Sequence, residues 1–124
     1  MDKPEAFEVR GDYALFRPTG QCTLKQAVDW VTSAIAFARE QRIRKLLAVT
    51  SDLSGFQSPS VGERYYFIKE WAQAARGFVR LAIVARPEMI DREKFGVTVA
   101  ANSGLISDIF VSEQEALAWL QGVN

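Results

Sequence analysis

Two stretches, "KLLAVT" at 45–50 and "VRLAIVA" at 79–85, are apolar almost without interruption. A strand with one face in water alternates apolar and polar residues, whereas a strand covered on both faces does not, and continuous runs of this kind mark the interior of a parallel sheet enclosed by helices. The rest of the chain fits that demand. Helical spacing predicts segments near 24–41, 60–76, 92–103 and 113–121, and a further short strand, "SDIFV", falls at 107–111. Strands alternating with helices imply right-handed crossovers. Ahead of them, "FEVR" (7–10) and "YALFR" (13–17) flank Gly11-Asp12, a pair suited to a tight hairpin turn. The expected fold is a single α/β domain over residues 1–124, with a five-stranded mixed, mostly parallel sheet, an N-terminal antiparallel hairpin and four flanking helices.

Helix starts are written plainly. Thr23-x-x-Gln26, Ser60-x-x-Glu63 and Ser112-x-x-Glu115 each fit the capping box, in which the hydroxyl accepts from the third helical N–H and the longer side chain returns to the cap's own N–H. The third helix reads less clearly, since "GVTVAA" suits a strand as well. Asp91 as cap, Gly104 as stop and the need for a crossover between 85 and 107 favour helix. On the first helix Leu24, Val28, Val31, Ile35 and Ala38 form one stripe; on the second, Val61, Ile68, Ala72 and Ala75 form another, widened by Tyr65 and Trp71. Trp30, Phe37 and Tyr66 lie off these stripes, so they either cover the hairpin or form a homodimer contact.

Composition narrows the chemistry. The chain has no histidine, which removes the usual base for a serine or cysteine nucleophile and the usual zinc ligand. Fifteen basic residues balance fifteen acidic ones, and the densest basic cluster, Arg39 to Lys45, spans a predicted helix C-terminus, where cations favour the dipole. No nucleic-acid footprint follows. The apolar runs are too short to span a bilayer, and "MDKPEAFEVR" lacks the apolar segment of a secretory signal. With one cysteine there is no intramolecular disulfide, so a reducing, cytoplasmic setting is expected. Carboxylate spacing suggests neither calcium nor a di-metal centre. We expect no metal, no cofactor and no enzymatic activity; the last-ranked alternative is a small enzyme that uses Asp52 or Glu88 as base with a serine nucleophile.

In a parallel α/β sheet, loops leaving the carboxyl ends of the strands gather along one edge, where ligands bind. Three connections meet that condition: 17–22, 51–59 and 86–90. They bring Arg17, Asp52, Ser54, Ser58, Arg86 and Glu88 together with helix N-termini, an arrangement that favours an anion. Of the serines in "DLSGFQSPSVGER" (52–64), Ser60 fits a cap, Ser58 competes for it because Pro59 suits the first helical position, and Ser54 and Ser58 are the freer hydroxyls. A phosphate on Ser54 or Ser58 would lie by the helix start and be stabilised by its dipole. Cys22 precedes a cap, where a thiol pKa can fall, but its residue type and context equally suit a small buried side chain.

The succession of hairpin, helix, strand, "DLSGFQSPSVG", helix and strand resembles STAS domains, the fold of bacterial anti-sigma-factor antagonists. The stretch "VARPEMIDREKFGVTVAANSGLISDIFVSEQEALAWL" (84–120) is similar to the SpoIIAA-like family. In the antagonists an Asp-Leu-Ser stretch precedes an Asp-Ser-Ser-Gly turn whose serine is phosphorylated by a partner kinase. Asp52-Leu53-Ser54 matches the first part; in the second, Gln57-Ser58-Pro59-Ser60 has glutamine in place of the acid and a proline within the turn. The resemblance thus implies a regulatory, protein-binding module acting through Asp52, Ser54, Ser58 and Arg86, with Ser58 as phosphoacceptor. The SpoIIAA-like family is also similar to CRAL-TRIO-like domains, which implies as the alternative a small apolar or anionic ligand, held among Phe56, Tyr65, Phe67, Trp71 and Phe95.

Overall fold

The computed structural model describes residues 2–91 and 93–122. Strands β1 (Phe7–Arg10) and β2 (Tyr13–Phe16) form the expected hairpin, Phe7 opposite Phe16 and Arg10 opposite Tyr13. A two-residue strand β3 (Gly20–Gln21) leads into α1 (Leu24–Glu40). The first apolar run is β4 (Lys45–Val49), followed by a second two-residue strand, β5 (Leu53–Ser54), and by α2 (Val61–Ala75). The other apolar run is β6 (Arg80–Val84); a short 3-10 turn (Pro87–Met89), α3 (Phe95–Asn102), β7 (Ser107–Phe110) and α4 (Glu113–Leu120) complete the chain. The five-stranded sheet has the order β1-β2-β4-β6-β7, antiparallel at the hairpin and parallel elsewhere.

The continuous apolar runs are explained by cover on both faces. Leu46, Ala48, Leu81 and Ile83 point to a core shared with α1, α2 and α3. Their neighbours Leu47, Val49, Ala82 and Val84 point the opposite way and pack with Ala116 and Leu120 of α4. Each fully buried leucine contributes roughly 1.5–3 kcal/mol by leaving water.

Capping chemistry behaves as the sequence predicts at Thr23 and Ser60, where both halves of the box form. At Ser112 the hydroxyl accepts from Glu115, without the return bond. Two expectations need correction. The third helix starts at Phe95 rather than near 92, because Lys94 sits in the left-handed region (φ +51°) and breaks the helical path; Asp91 caps from four residues upstream, its carboxylate accepting from the Phe95 N–H at 2.7 Å. On α2 the buried face is Arg64, Ile68, Trp71 and Ala75, so Val61 and Tyr65 are exposed. A charged residue on the buried stripe rotates the face away from where hydropathy alone puts it. Phe37 takes the covering role, edge-on to Phe7 at 5.0 Å, while Trp30 (37% exposed) and Tyr66 (76%) face solvent.

Candidate functional site

The three loops at the carboxyl ends of β2, β4 and β6 are tied to one another by backbone and by one guanidinium. β3 pairs in parallel with β5, framed by Gly20 N–H to Asp52 C=O at 3.3 Å and Cys22 N–H to Ser54 C=O at 2.8 Å. The strands lie so close that only glycine fits at 55: its φ is +104°, and a β-carbon there would come within 2.6 Å of the Cys22 carbonyl. Thr50 fixes the loop's start, with backbone N–H and hydroxyl both donating to Val84 C=O. Leu53 anchors its middle in a small cluster with Cys22, Ala27 and Phe56. The serine stretch is therefore held in place by backbone pairing with β3, by Val84 and by the Leu53 cluster.

Its far end is held by Arg64, a residue that hydropathy reading assigns to solvent. Arg64 is 9% exposed. The guanidinium donates to the Pro59 carbonyl, to Ser58 Oγ at 3.0 Å and to the Met89 carbonyl at 3.0 Å, joining the β4–α2 loop to the β6–α3 loop. Its planar fork is what allows one side chain to serve several acceptors. The signal available in the sequence was its spacing, four residues before Ile68 and seven before Trp71.

The sequence-derived site residues fall into two groups. Arg86 lies with Arg64, Pro59 and Met89 around an apolar cavity of about 110 Å³ beneath α2, and Ser58, outside its lining, is joined to it through Arg64; of the aromatic residues expected there, Phe56, Phe67 and Trp71 line it and Tyr65 and Phe95 do not. Asp52 and Ser54 are exposed on the β3–β5 side, away from that cavity. Arg17, expected at the same edge, is engaged with α4: its guanidinium grips Glu113 in two bonds of 2.6 and 2.7 Å, which holds the Glu113 carboxyl below its ordinary value. Arg86 has one ion pair among the described residues, Nε to Glu88 at 3.6 Å.

No general base reaches the serine hydroxyls among the described residues. Ser60 is consumed by its cap, and Glu63, its partner, accepts from the Ser60 N–H. Ser58 faces a guanidinium, which cannot take a proton. Burial pushes the Cys22 thiol up, opposite to a reactive cysteine. Among the described residues no three His, Cys, Asp or Glu side chains gather to hold a metal ion, and no helix is long and apolar enough to cross a membrane.

Along nearly its whole length the chain follows the path of a crystal structure of a "putative anti-sigma factor antagonist" from Thermotoga maritima, with a TM-score of 0.52 at 17% identity, covering 93% of this chain and 92% of that one. The fold is the SpoIIAA-like STAS type. The anti-sigma factor antagonist SpoIIAA in its unphosphorylated form is similar at 22% identity and a TM-score of 0.49, over 95% of this chain and 100% of that one. No protein-family model and no curated protein sequence matches the chain. Within the STAS-type fold the serine stretch occupies the connection from β4 to α2, and Ser58 is the hydroxyl next to the helix start that remains outside the cap.

Proposed function

We propose that this chain is a non-catalytic, cytoplasmic regulatory module that docks a protein partner through the loop from Asp52 to Ser60, and that phosphorylation of Ser58 changes the docking. One observation carries the reading: Ser58 is exposed, yet its Oγ lies 3.0 Å from a buried guanidinium at the start of a helix. A phosphate there would meet Arg64 in charge-assisted hydrogen bonds and the positive end of the α2 dipole. It would also draw on the same donors that hold Met89, so the charge would be felt in the β6–α3 loop as well. A neighbour in fold described as an anti-sigma factor antagonist supports a protein as the partner. Asp52 and Ser54 give the docking face its polar groups, and Arg86 its cation.

Mass spectrometry of protein purified from its own host is expected to find phosphate on Ser58. Pull-downs with the wild type, Ser58→Ala and Ser58→Asp should return different partners for the aspartate variant. An unmodified Ser58 together with identical partner lists would remove the switch. A carrier of a small apolar (lipid-like) or anionic ligand is less favoured as the chain's main role, because ligand pockets start at roughly 300 Å³ and the cavity offers about 110 Å³. Sedimentation over a concentration series tests the homodimer contact that exposed Trp30 and Tyr66 allow.

A further inference from the structure

The cavity beneath α2 is small, but its lining is selective. Val28, Val31, Ile68, Trp71, Ile83 and Ala85 supply apolar walls. Gly96 of α3 also lines it, and there the backbone does not require glycine: its φ is outside the left-handed range, and a β-carbon would meet nothing nearer than Ile68 at 3.9 Å. Glycine within a helix costs roughly 0.5–1 kcal/mol relative to alanine. The absent side chain therefore keeps a space empty that a methyl group would begin to fill.

Charged groups stand at the rim, and most are engaged. Lys94 Nζ is 2.9 Å from Asp108, the Asp91 carboxylate accepts from Phe95 N–H, and Arg64 is committed to Ser58, Pro59 and Met89. Arg86 differs. Half-buried beside the cavity, it pairs with Glu88 at 3.6 Å and makes no side-chain hydrogen bond among the described residues, so its guanidinium has donors left for an acceptor. An apolar space next to a guanidinium with such donors suits a molecule with an apolar end and a carboxylate.

We propose that the cavity binds a small monocarboxylate, its apolar end about the size of a benzene ring or a short branched chain, inserted beside Trp71 and Gly96, with its carboxylate on Arg86. An engineered apolar cavity of about 150 Å³ in another protein accepts benzene, and this one, at about 110 Å³, opens to solvent on one side and so need not enclose the whole ligand. The cavity borders the docking loop at Phe56 and Pro59 and shares Arg86 with it, but its test reads carboxylate binding and not Ser58 phosphorylation, so its failure leaves the Ser58 reading untouched.

The test is a titration of the full chain with benzoate, benzyl alcohol and acetate, followed by amide and indole resonances in two-dimensional NMR. Benzoate should shift the Trp71 indole and the Gly96 amide, and bind about tenfold more tightly than benzyl alcohol or acetate. Arg86→Gln should abolish that preference while leaving benzyl alcohol unchanged. Gly96→Ala, which should melt no lower than the wild type, should weaken benzoate several-fold. The proposal is overturned if benzoate leaves both resonances unmoved, if the alcohol binds as well as the carboxylate, or if Gly96→Ala melts normally and binds as the wild type does.

Discussion

Burying a guanidinium is costly unless its donors are satisfied, and Arg64 meets that condition with three oxygens, none of them on a carboxylate. Removing the side chain takes those bonds from the Pro59 and Met89 carbonyls and leaves a void between two loops. Arg64→Ala is expected to lower stability by about 2–3 kcal/mol in urea denaturation. Arg64→Lys should recover little of it, because a compact ammonium cannot span the same acceptors; full recovery by lysine would show that charge alone is what matters. The serines nearby divide by partner in the same way. Ser60→Ala should cost about 1 kcal/mol through its cap, whereas Ser54→Ala, at an exposed hydroxyl outside any cap, should stay within about 0.5 kcal/mol.

Between elements, the two-residue strands β3 and β5 hold the site edge together, and Gly55 is the position where that pairing has no slack. A side chain there would both force a non-glycine residue to φ +104° and collide with the Cys22 carbonyl. Gly55→Ala should therefore destabilise by about 1–3 kcal/mol and strip hydrogen-exchange protection from the Cys22 amide, which donates to Ser54. Retained protection would mean the loop can move aside. Elements of this size were illegible in the sequence: Gly20 and Leu53 pair across more than thirty residues, and neither run is long enough to show a period. The caps at Thr23 and Ser60 and the runs of β4 and β6 were legible because their signals are local, a hydroxyl three residues from a longer polar side chain, or apolarity that only two-sided cover explains. Arg64 and the true start of α3 were missed for other reasons. Arg64 depends on a distant partner, the Met89 carbonyl, and the start of α3 on a left-handed Lys94, a conformation that lysine does not announce by residue type.

Across the whole molecule the sheet is covered unequally, with α1, α2 and α3 on one face and α4 alone on the other. That single helix buries Ala116 and Leu120 and is tied by polar groups at both ends. Arg17 grips Glu113 at its start; at its end Gln121 donates to Asp12, which also accepts from Lys45, and Lys45 donates back to Gln121 at 2.6 Å. Both carboxyls are held below their ordinary values, Glu113 chiefly by the Arg17 hydrogen bond and Asp12 chiefly by Gln121, with Lys45 next. A carboxyl whose folded pKa is depressed stabilises the fold above its unfolded value and loses that contribution as pH falls through the folded one. The tethers should thus be intact at neutral pH and weaken below the ordinary values of 4.5 for Glu113 and 3.8 for Asp12. Being partly exposed, the Arg17–Glu113 pair should contribute no more than about 1 kcal/mol, and less in high salt. Glu113→Gln should lower stability at pH 7, and the gap to the wild type should close on acidification. Trp119, packed against Phe110 at 5.9 Å, lies on α4, so its fluorescence is a local reporter once Trp30 and Trp71 are replaced by phenylalanine. In that background the Asp12→Asn, Glu113→Gln double variant should show a flatter acid limb than either single variant; an acid limb unchanged by both substitutions would place acid sensitivity outside the α4 tethers.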